Sequence, residues 1–230
     1  MKKGKLIVIE GTDFSGKKTQ SELLVNKLNS KGCKSEMISF PRYGTPTGDI
    51  IGDCYLGKNN RIKTGSWFED PVNLDPKLTC LYYAADRISA IPEIKLKLYN
   101  GINIICDRYV ESNMGHQCAK LTNSNERNEL SDWIEKLEYE MLELPKPNKI
   151  IFLYMPFQVT QKLKEGRKES RDAHELNEDH LRKAENAYLE LANKYHWEKI
   201  VCSIDGKTPR TKEDINEEVF DLINKLLSDN

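Results

Sequence analysis

The sequence predicts an α/β fold in which a parallel sheet carries helices on both faces. Short apolar runs alternate with longer segments of helical periodicity, which is typical of parallel sheets. A glycine-containing segment, Gly11 to Lys17, lies between the first apolar run and the first helical pattern. No internal repeat, low-complexity linker or change in composition divides the sequence, so we expect one domain over residues 1–230.

Five apolar or β-branched runs are the candidate strands. They are Leu6 to Ile9, Ser35 to Phe40, Asn103 to Cys106, Ile150 to Met155 and Lys199 to Ile204. Their lengths suit buried parallel strands. Apolar residues at helical spacing predict helices over about 17–30, 76–99, 126–143, 157–168, 177–195 and 212–227. Pro145 and Pro147 should end the third helix before the fourth strand.

The composition limits the classes of partner and the cellular location that we expect. The formal net charge is −1 with 31% charged residues, so we expect small-molecule partners and not a nucleic-acid polymer. The six cysteines contain no C-x-x-C pair, a pattern typical of reduced thiols in the cytoplasm. No apolar run approaches the ~20 residues of a membrane span. The first strand follows the N-terminal lysines directly, without a signal-peptide segment. We therefore expect a cytoplasmic protein with no membrane partner.

The segment GTDFSGKK nearly matches a phosphate-binding loop. Gly11, Gly16 and Lys17 meet the pattern G-x-x-x-x-G-K-[ST], but Lys18 stands where a hydroxyl normally reaches magnesium. A loop between a strand and a helix can bind phosphate through its backbone N–H groups. A connection without a ligand is the alternative. The candidate nucleotide contacts are Gly11, Thr12, Asp13, Phe14, Ser15, Gly16, Lys17, Lys18 and Thr19.

Arginines and aromatic residues cluster near the ends of the predicted strands. FPRYG (40–44) follows the second strand, DRYVESNMGHQ (107–117) follows the third, and LYYAADR (81–87) lies in the helix before the third. Ligands collect at the carboxyl ends of parallel strands, so we expect these segments at one crevice. Guanidinium groups suit phosphate and aromatic rings suit a flat base. The alternatives are core packing for the tyrosines and surface ion pairs for the arginines.

Taken together, these segments resemble the thymidylate kinases, which transfer the γ-phosphoryl group of ATP to dTMP. The resemblance covers nearly the whole chain and depends on EGTDFSGKKTQ, FPRYG, ADR, DRYVESN, and RDAHE followed by AYLELA. It implies a P-loop NTPase-like five-stranded parallel sheet and an arginine-bearing lid at about 157–176. It also implies Mg²⁺ as cofactor, ATP and dTMP as partners, and usually a homodimer.

The resemblance implies which residues contact the acceptor. They are Phe40, Pro41, Arg42, Tyr43, Tyr83, Arg87, Arg108, Asn113, His116, Asp172, His174 and Glu175. Tyr83 would stack on the base, and the three arginines would hold the acceptor and transferring phosphates. His116 and His174 stand where relatives more often have aromatic residues. At His116 we expect this difference to affect how well the site discriminates against a sugar that carries a 2′-hydroxyl.

The resemblance also implies the catalytic residues. The catalytic residues would be Asp13, Lys17, Arg108, Arg171 and Glu175. Because Lys18 offers no hydroxyl, we expect the metal to be held by nucleotide oxygens, water and carboxylates such as Asp13 and Asp107. Lys17 would hold the donor phosphates, and Arg108 would bridge donor and acceptor.

Further positive charge is expected from the lid. Phe14 is uncharged where some relatives carry a basic residue, whereas the segment 164–172 includes Arg167 and Arg171. We expect Arg167 to contact ATP. A solvated helix surface is the alternative for this charged run.

Two other functions stay open at this point. Another nucleotide or deoxynucleoside kinase would share the loop and the fold. A non-catalytic nucleotide-binding relative would explain Lys18 as lost magnesium chemistry. Some relatives also carry a basic residue after the loop lysine, so we interpret Lys18 as a tolerated variant of an active, magnesium-dependent kinase.

Overall fold

A parallel sheet forms the centre of the computed structural model, which describes residues 3–58, 66–164 and 177–228. Five strands pair in the order β2-β3-β1-β4-β5, all of them parallel. They are β1 (Leu6–Gly11), β2 (Ser35–Ser39), β3 (Asn103–Asp107), β4 (Lys149–Tyr154) and β5 (Glu198–Val201). The predicted fold class and all five predicted strand regions of the parallel sheet are therefore confirmed.

Helices cover both faces of this sheet. They are α1 (Lys17–Ser30), α2 (Pro46–Asp49), α3 (Pro76–Tyr99), α4 (Val110–Cys118), α5 (Ser124–Glu135), α6 (Phe157–Lys164), α7 (Glu178–Lys194) and α8 (Lys212–Ser228). The π-helical segments Ile50–Tyr55 and Lys136–Met141 continue α2 and α5. The bounds predicted for α1 and α3 match the structure, whereas α2 and α4 were not predicted.

The prediction of a continuous fifth strand to Ile204 is wrong. The sheet strand ends at Val201, and Ser203–Ile204 (β6) instead pairs antiparallel with Thr208–Pro209 (β7). Asp205 and Gly206 have φ angles of 51° and 64°, and the Lys207 N–H donates to the Ile204 carbonyl at 3.0 Å. This tight hairpin turn, which an Asp-Gly pair favours, reverses the chain.

Alternate residues of the strands enter two apolar layers. Leu6 and Val8 of β1 pack on the side of α3, α4, α5 and α7. Ile7 and Ile9 pack on the opposite side, with α1 and α8. Successive side chains of a strand point to opposite faces, so a continuous apolar run such as β1 is what a doubly covered sheet requires. No helix in the described ranges is long and apolar enough to cross a membrane.

The strand register brings three functional segments to one edge. Ile9 pairs with Asp107, and Gly11 pairs with Leu153. The phosphate-loop segment after β1 therefore lies between the DRY segment after β3 and the segment after β4. This edge is where a ligand of an open parallel sheet is expected to bind.

Candidate active site

The glycines of the phosphate loop are required by its backbone. A Cβ on Gly11 would lie 2.5 Å from the Leu153 carbonyl oxygen, which is closer than real side chains approach. Gly16, at the start of α1, has a φ of 84°, and Phe14 also has a positive φ of 62°. Positive φ suits glycine and strains other residues, so the loop stores some strain at Phe14. The main chain thus turns tightly from β1 into α1.

Thr12 ties the loop to the end of β4. Its hydroxyl donates to the Met155 carbonyl at 2.8 Å and accepts from the Met155 N–H at 2.9 Å. Lys17 is 7% exposed, and its ammonium donates to the Gly11 and Thr12 carbonyls at 2.9 and 2.8 Å. Burial and the positive charge of Arg108 lower the pKa of Lys17 to about 8, although nearby carboxylates oppose this shift. The ammonium therefore lies across the loop, where phosphate would bind.

Lys18 and Thr19 point away from the loop interior. The Lys18 side chain is 75% exposed, and its ammonium lies 4.0 Å from Glu22, one turn further along α1. Thr19 is also exposed. Ser15 is buried, and its hydroxyl has no hydrogen-bond partner among the residues that the structure describes. The position where the loop pattern has a hydroxyl thus carries a solvent-facing cation.

An open cleft lies beside the loop. Nine of the residues expected at the site line it, namely Asp13, Phe40, Pro41, Tyr43, Tyr83, Arg87, Arg108, Asn113 and His116. The Tyr83 ring packs edge-on against Tyr55, with 6.0 Å between the centroids, which fixes its orientation. The structure thus joins an aromatic cleft to a phosphate loop.

Four further residues line the cleft and were missed from the sequence. They are Leu56, Tyr109, Ser112 and Gln117. Ser112 and Gln117 lie on α4 with Asn113 and His116, at spacings of three and four residues that share one helix face. Recognising α4 as a helix would therefore have found two of them.

Arg42 does not line the cleft. Its backbone N–H and Nε donate to the Asp86 carboxylate at 2.8 and 3.2 Å, and its Nη2 donates to the Ser89 hydroxyl. Asp86 is buried on α3, so the arginine is held against that helix. The aspartate of the ADR segment thus fixes the FPRYG segment.

Arg87 forms the floor of the cleft in a buried ion pair. Its Nε and Nη2 donate to both oxygens of Glu138 at 2.5 and 2.6 Å, and Nη1 donates to the Tyr109 carbonyl at 3.1 Å. Glu138 also accepts from the Asn113 amide at 3.0 Å. The surface ion pair considered for Arg87 is therefore wrong, because both partners are at most 1% exposed.

Arg108 connects the loop with the cleft. Its Nη2 donates to Asp13 at 3.0 Å, and Nη1 lies 3.4 Å from the Ser112 hydroxyl and 3.3 Å from His116 Nε2. Burial alone would raise the pKa of Asp13. The positive charges of His116, Lys17 and this arginine outweigh burial and hold that pKa well below its usual range. Asp13 is thus ionised next to the loop.

His116 lies between two aromatic rings of α7. It stacks on His180 with 5.6 Å between centroids and an angle of 17°, and it meets Tyr188 edge-on at 5.6 Å. Its Nδ1 lies 3.4 Å from His180 Nε2. The helix that follows the predicted lid thus supports the wall of the cleft.

Asp13 and Asp107 are the two carboxylates that could help to hold a magnesium ion. Asp107 is 9% exposed and accepts from the Ser39 hydroxyl at 3.3 Å. The charges of Asp13 and Asp107 both oppose the lowering of the Lys17 pKa by burial. In the described ranges no group of three or more His, Cys, Asp or Glu could hold a metal. Mg²⁺ usually takes only one or two carboxylates beside water and phosphate oxygens, so these residues fit it.

The predicted lid lies mostly outside the described residues. α6 covers its first part, from Phe157 to Lys164. The remaining expected site residues, Arg167, Arg171, Asp172, His174 and Glu175, lie outside the described ranges.

The chain matches known proteins along most of its length. The family model for thymidylate kinase matches residues 9–218. The chain is 32% identical to human thymidylate kinase over 154 residues, which are 67% of this chain and 62% of that protein. It is 28% identical to the Schizosaccharomyces pombe thymidylate kinase over 225 residues, 97% of this chain and 93% of that one. A solved thymidylate kinase structure from Candida albicans has a TM-score of 0.72 at 26% identity, covering 97% and 92%.

Proposed function

The chain belongs to the thymidylate kinase family, and we propose that it transfers the γ-phosphoryl group of ATP to dTMP, giving dTDP for dTTP synthesis. Relatives of that name support this reaction and indicate a nucleoside monophosphate kinase. The observation that carries the proposal is Arg108, which contacts Asp13 of the loop and lines the aromatic cleft.

The cleft suits a nucleoside monophosphate acceptor. Tyr83 and Phe40 provide flat apolar surface for a base, and Asn113 provides an amide beside it. The phosphate of such an acceptor would lie toward Arg108, because that side chain approaches the loop. We propose that Arg87 acts mainly by fixing the floor, since Glu138 and the Tyr109 carbonyl already occupy its guanidinium.

Catalysis would come from positioning and charge stabilisation, which dominate phosphoryl transfer. Lys17 and the loop N–H groups would hold the donor phosphates. Arg108 would neutralise charge on the transferring group, as a guanidinium can contact two phosphate oxygens at once. Asp13 holds that arginine until the substrates compete for it.

Asp13 and Asp107 would hold Mg²⁺ together with phosphate oxygens and water. When bound, this ion supplies positive charge to the donor phosphates. Thr12 holds the loop against the segment that follows β4 through its two hydrogen bonds to Met155.

The roles of the lid remain predictions. Arg167 would contact ATP, and Arg171 would stabilise the transferring group. Asp172, His174 and Glu175 would lie near the acceptor. Phe14 provides no charge inside the loop, which is why the basic lid is proposed as the source.

We also propose that residues 1–230 act as one domain in a cytoplasmic homodimer. An apolar stripe on α3 supports the dimer, because Leu78, Leu81 and Ile88 are 39, 48 and 38% exposed on one helix face. Light scattering of the purified chain checks this proposal, and a monomer at micromolar concentration contradicts it.

A coupled ATP-turnover assay with dTMP, dUMP, dCMP, dGMP and UMP tests the acceptor. We expect dTMP to be preferred, and equal turnover of dCMP or UMP would contradict this. The panel needs breadth because the Candida albicans relative is described as having broad substrate specificity. No turnover of any acceptor would favour the non-catalytic alternative, for which Lys18 is the one specific observation.

A further inference from the structure

Glu10 is a fully buried acid near the end of β1, and the proposed reaction uses none of its atoms directly. Its carboxylate accepts from the Tyr109 N–H at 3.0 Å and from the Ser112 hydroxyl at 2.8 and 3.0 Å. It also accepts from the Tyr188 hydroxyl at 3.3 Å. Burying an acid without such partners costs folding free energy. Two of the three partners, Tyr109 and Ser112, follow Arg108 closely in the chain.

The backbone of Arg108 needs support. Its φ of 68° lies in the left-handed region, which is unfavourable for arginine. Two hydrogen bonds to β1 hold this conformation. The Arg108 N–H donates to the Ile9 carbonyl at 3.2 Å, and the N–H of the next residue donates to Glu10. The carboxylate thus fixes the peptide that follows the strained residue.

The side chain of Arg108 is supported through Ser112. The Ser112 hydroxyl donates its hydrogen to Glu10, so its oxygen can accept from the Arg108 guanidinium, whose Nη1 lies 3.4 Å away. The positive charge of Arg108 also acts on Glu10 through space. Burial raises the pKa of Glu10, and the positive charge of Arg108 opposes this rise.

We propose that Glu10 is a positioning residue that holds Arg108 in the conformation that bridges the donor and acceptor phosphates. This inference rests on the proposed function of Arg108. It assigns the acid a role in the reaction beyond filling the core, because its contacts fix both the backbone and the side chain of one functional residue.

Glu10→Gln is the sharpest change because it keeps the size of the side chain. The oxygen that accepts from Tyr109 can also keep the 2.8 Å bond from Ser112, but the amide group replaces the second oxygen, which accepts from Ser112 at 3.0 Å and from Tyr188 at 3.3 Å, and the negative charge near Arg108 is lost. We expect about a tenfold loss of kcat with dTMP and weaker dTMP binding. In an Arg108→Lys background the same change should cost less than about twofold, because residues that act through each other are not additive.

Glu111→Gln is the matched control. Glu111 is also a buried acid, but it accepts its hydrogen bond from the Tyr139 hydroxyl at 2.6 Å and makes none to Tyr109 or Ser112 among the described contacts. We expect kcat within about twofold of wild type. A second double-mutant cycle compares Ser112→Ala in the wild-type and Arg108→Lys backgrounds. It changes no buried acid, so it tests the same connection if Glu10→Gln fails to fold.

Turnover with dTMP and the calorimetric Kd for dTMP are measured for the double-mutant cycles of Glu10→Gln and of Ser112→Ala with Arg108→Lys. The Kd can be measured even for a variant that has no residual activity. Equal losses in the wild-type and Arg108→Lys backgrounds would overturn the inference, as would unchanged kcat and Kd. A wild type that turns over no nucleotide contradicts the proposed function instead. An active wild type with additive cycles contradicts only the role of Glu10.

Discussion

Arg87 and Glu138 form a two-pronged ion pair beneath the cleft, with N–O distances of 2.5 and 2.6 Å and at most 1% exposure on either side. The pair joins α3 to the π-helical segment after α5. Asn113 donates to the same carboxylate, so three elements that surround the cleft meet at one acid.

We predict that Glu138→Gln lowers the free energy of unfolding by about 3–5 kcal/mol, because it leaves a buried arginine without its counter-charge. Urea denaturation measures this loss. The control is Glu190→Gln, since Glu190 binds Arg127 with the same two-pronged geometry at 2.8 and 2.9 Å but on the surface. That change should cost no more than about 1 kcal/mol. Equal losses for the two variants would contradict the importance of burial here.

The strongly periodic elements could be predicted from the sequence, and the short ones could not. α1 and α3 follow from apolar spacing over 14 and 24 residues. α4 has only nine residues and contains Gly115, which weakens a helix on its own. A Cβ at Gly115 would lie within 2.6 Å of three atoms of the Tyr188 ring, so a glycine is required here by packing against α7, which no local sequence pattern reveals.

The candidate site, like the fold, could be predicted only where a local motif marks it. The loop and the DRY segment could be read from local motifs. The partners that fix them could not, because Glu10 meets Tyr188 across 178 positions and Arg87 meets Glu138 across 51. Such pairs depend on tertiary packing, which a single sequence does not display.

Glu111 should make stability depend on pH. Burial raises the pKa of its carboxyl from 4.5 to about 8, although the Tyr139 hydroxyl opposes this rise. Between these values the folded protein keeps a proton that the unfolded chain loses, so stability falls as pH rises from about 4.5 to 8. We predict that the stability of Glu111→Gln relative to wild type rises by at least about 1 kcal/mol from pH 5 to pH 8, which is the order of one pKa unit. Urea titrations at pH 5 and 8 check this, and a difference independent of pH would contradict it.

His116 is predicted to face the sugar of the acceptor. It lines the cleft, and His180 and Tyr188 hold its ring. A tyrosine at this position would reach further into the cleft and crowd a 2′-hydroxyl. We expect His116→Tyr to raise the ratio of kcat/KM for dUMP over UMP. An unchanged or lower ratio would show that this residue does not contact the ribose.

The lid arginines are predicted to act in the transition state. Arg171→Ala or Arg167→Ala should lower kcat much more than it raises the KM for ATP, because contacts made only in the transition state act on turnover. Steady-state kinetics with dTMP measure both constants. Wild-type kcat in both variants would mean that the positive charge comes from another part of the chain.

Lys18 is the residue at which an active kinase and a non-catalytic relative can be distinguished by experiment. Its ammonium is exposed and lies toward Glu22, so it leaves Lys17 and the two carboxylates of the loop region undisturbed. The most direct measurement is dTMP turnover by wild type and Lys18→Thr across a magnesium titration, with Lys17→Ala as the inactive control. We predict an active, magnesium-dependent wild type, with a change of at most about tenfold on adding the threonine, or about 1.4 kcal/mol of barrier. A wild type without turnover that threonine restores about a thousandfold, some 4 kcal/mol, would contradict this account.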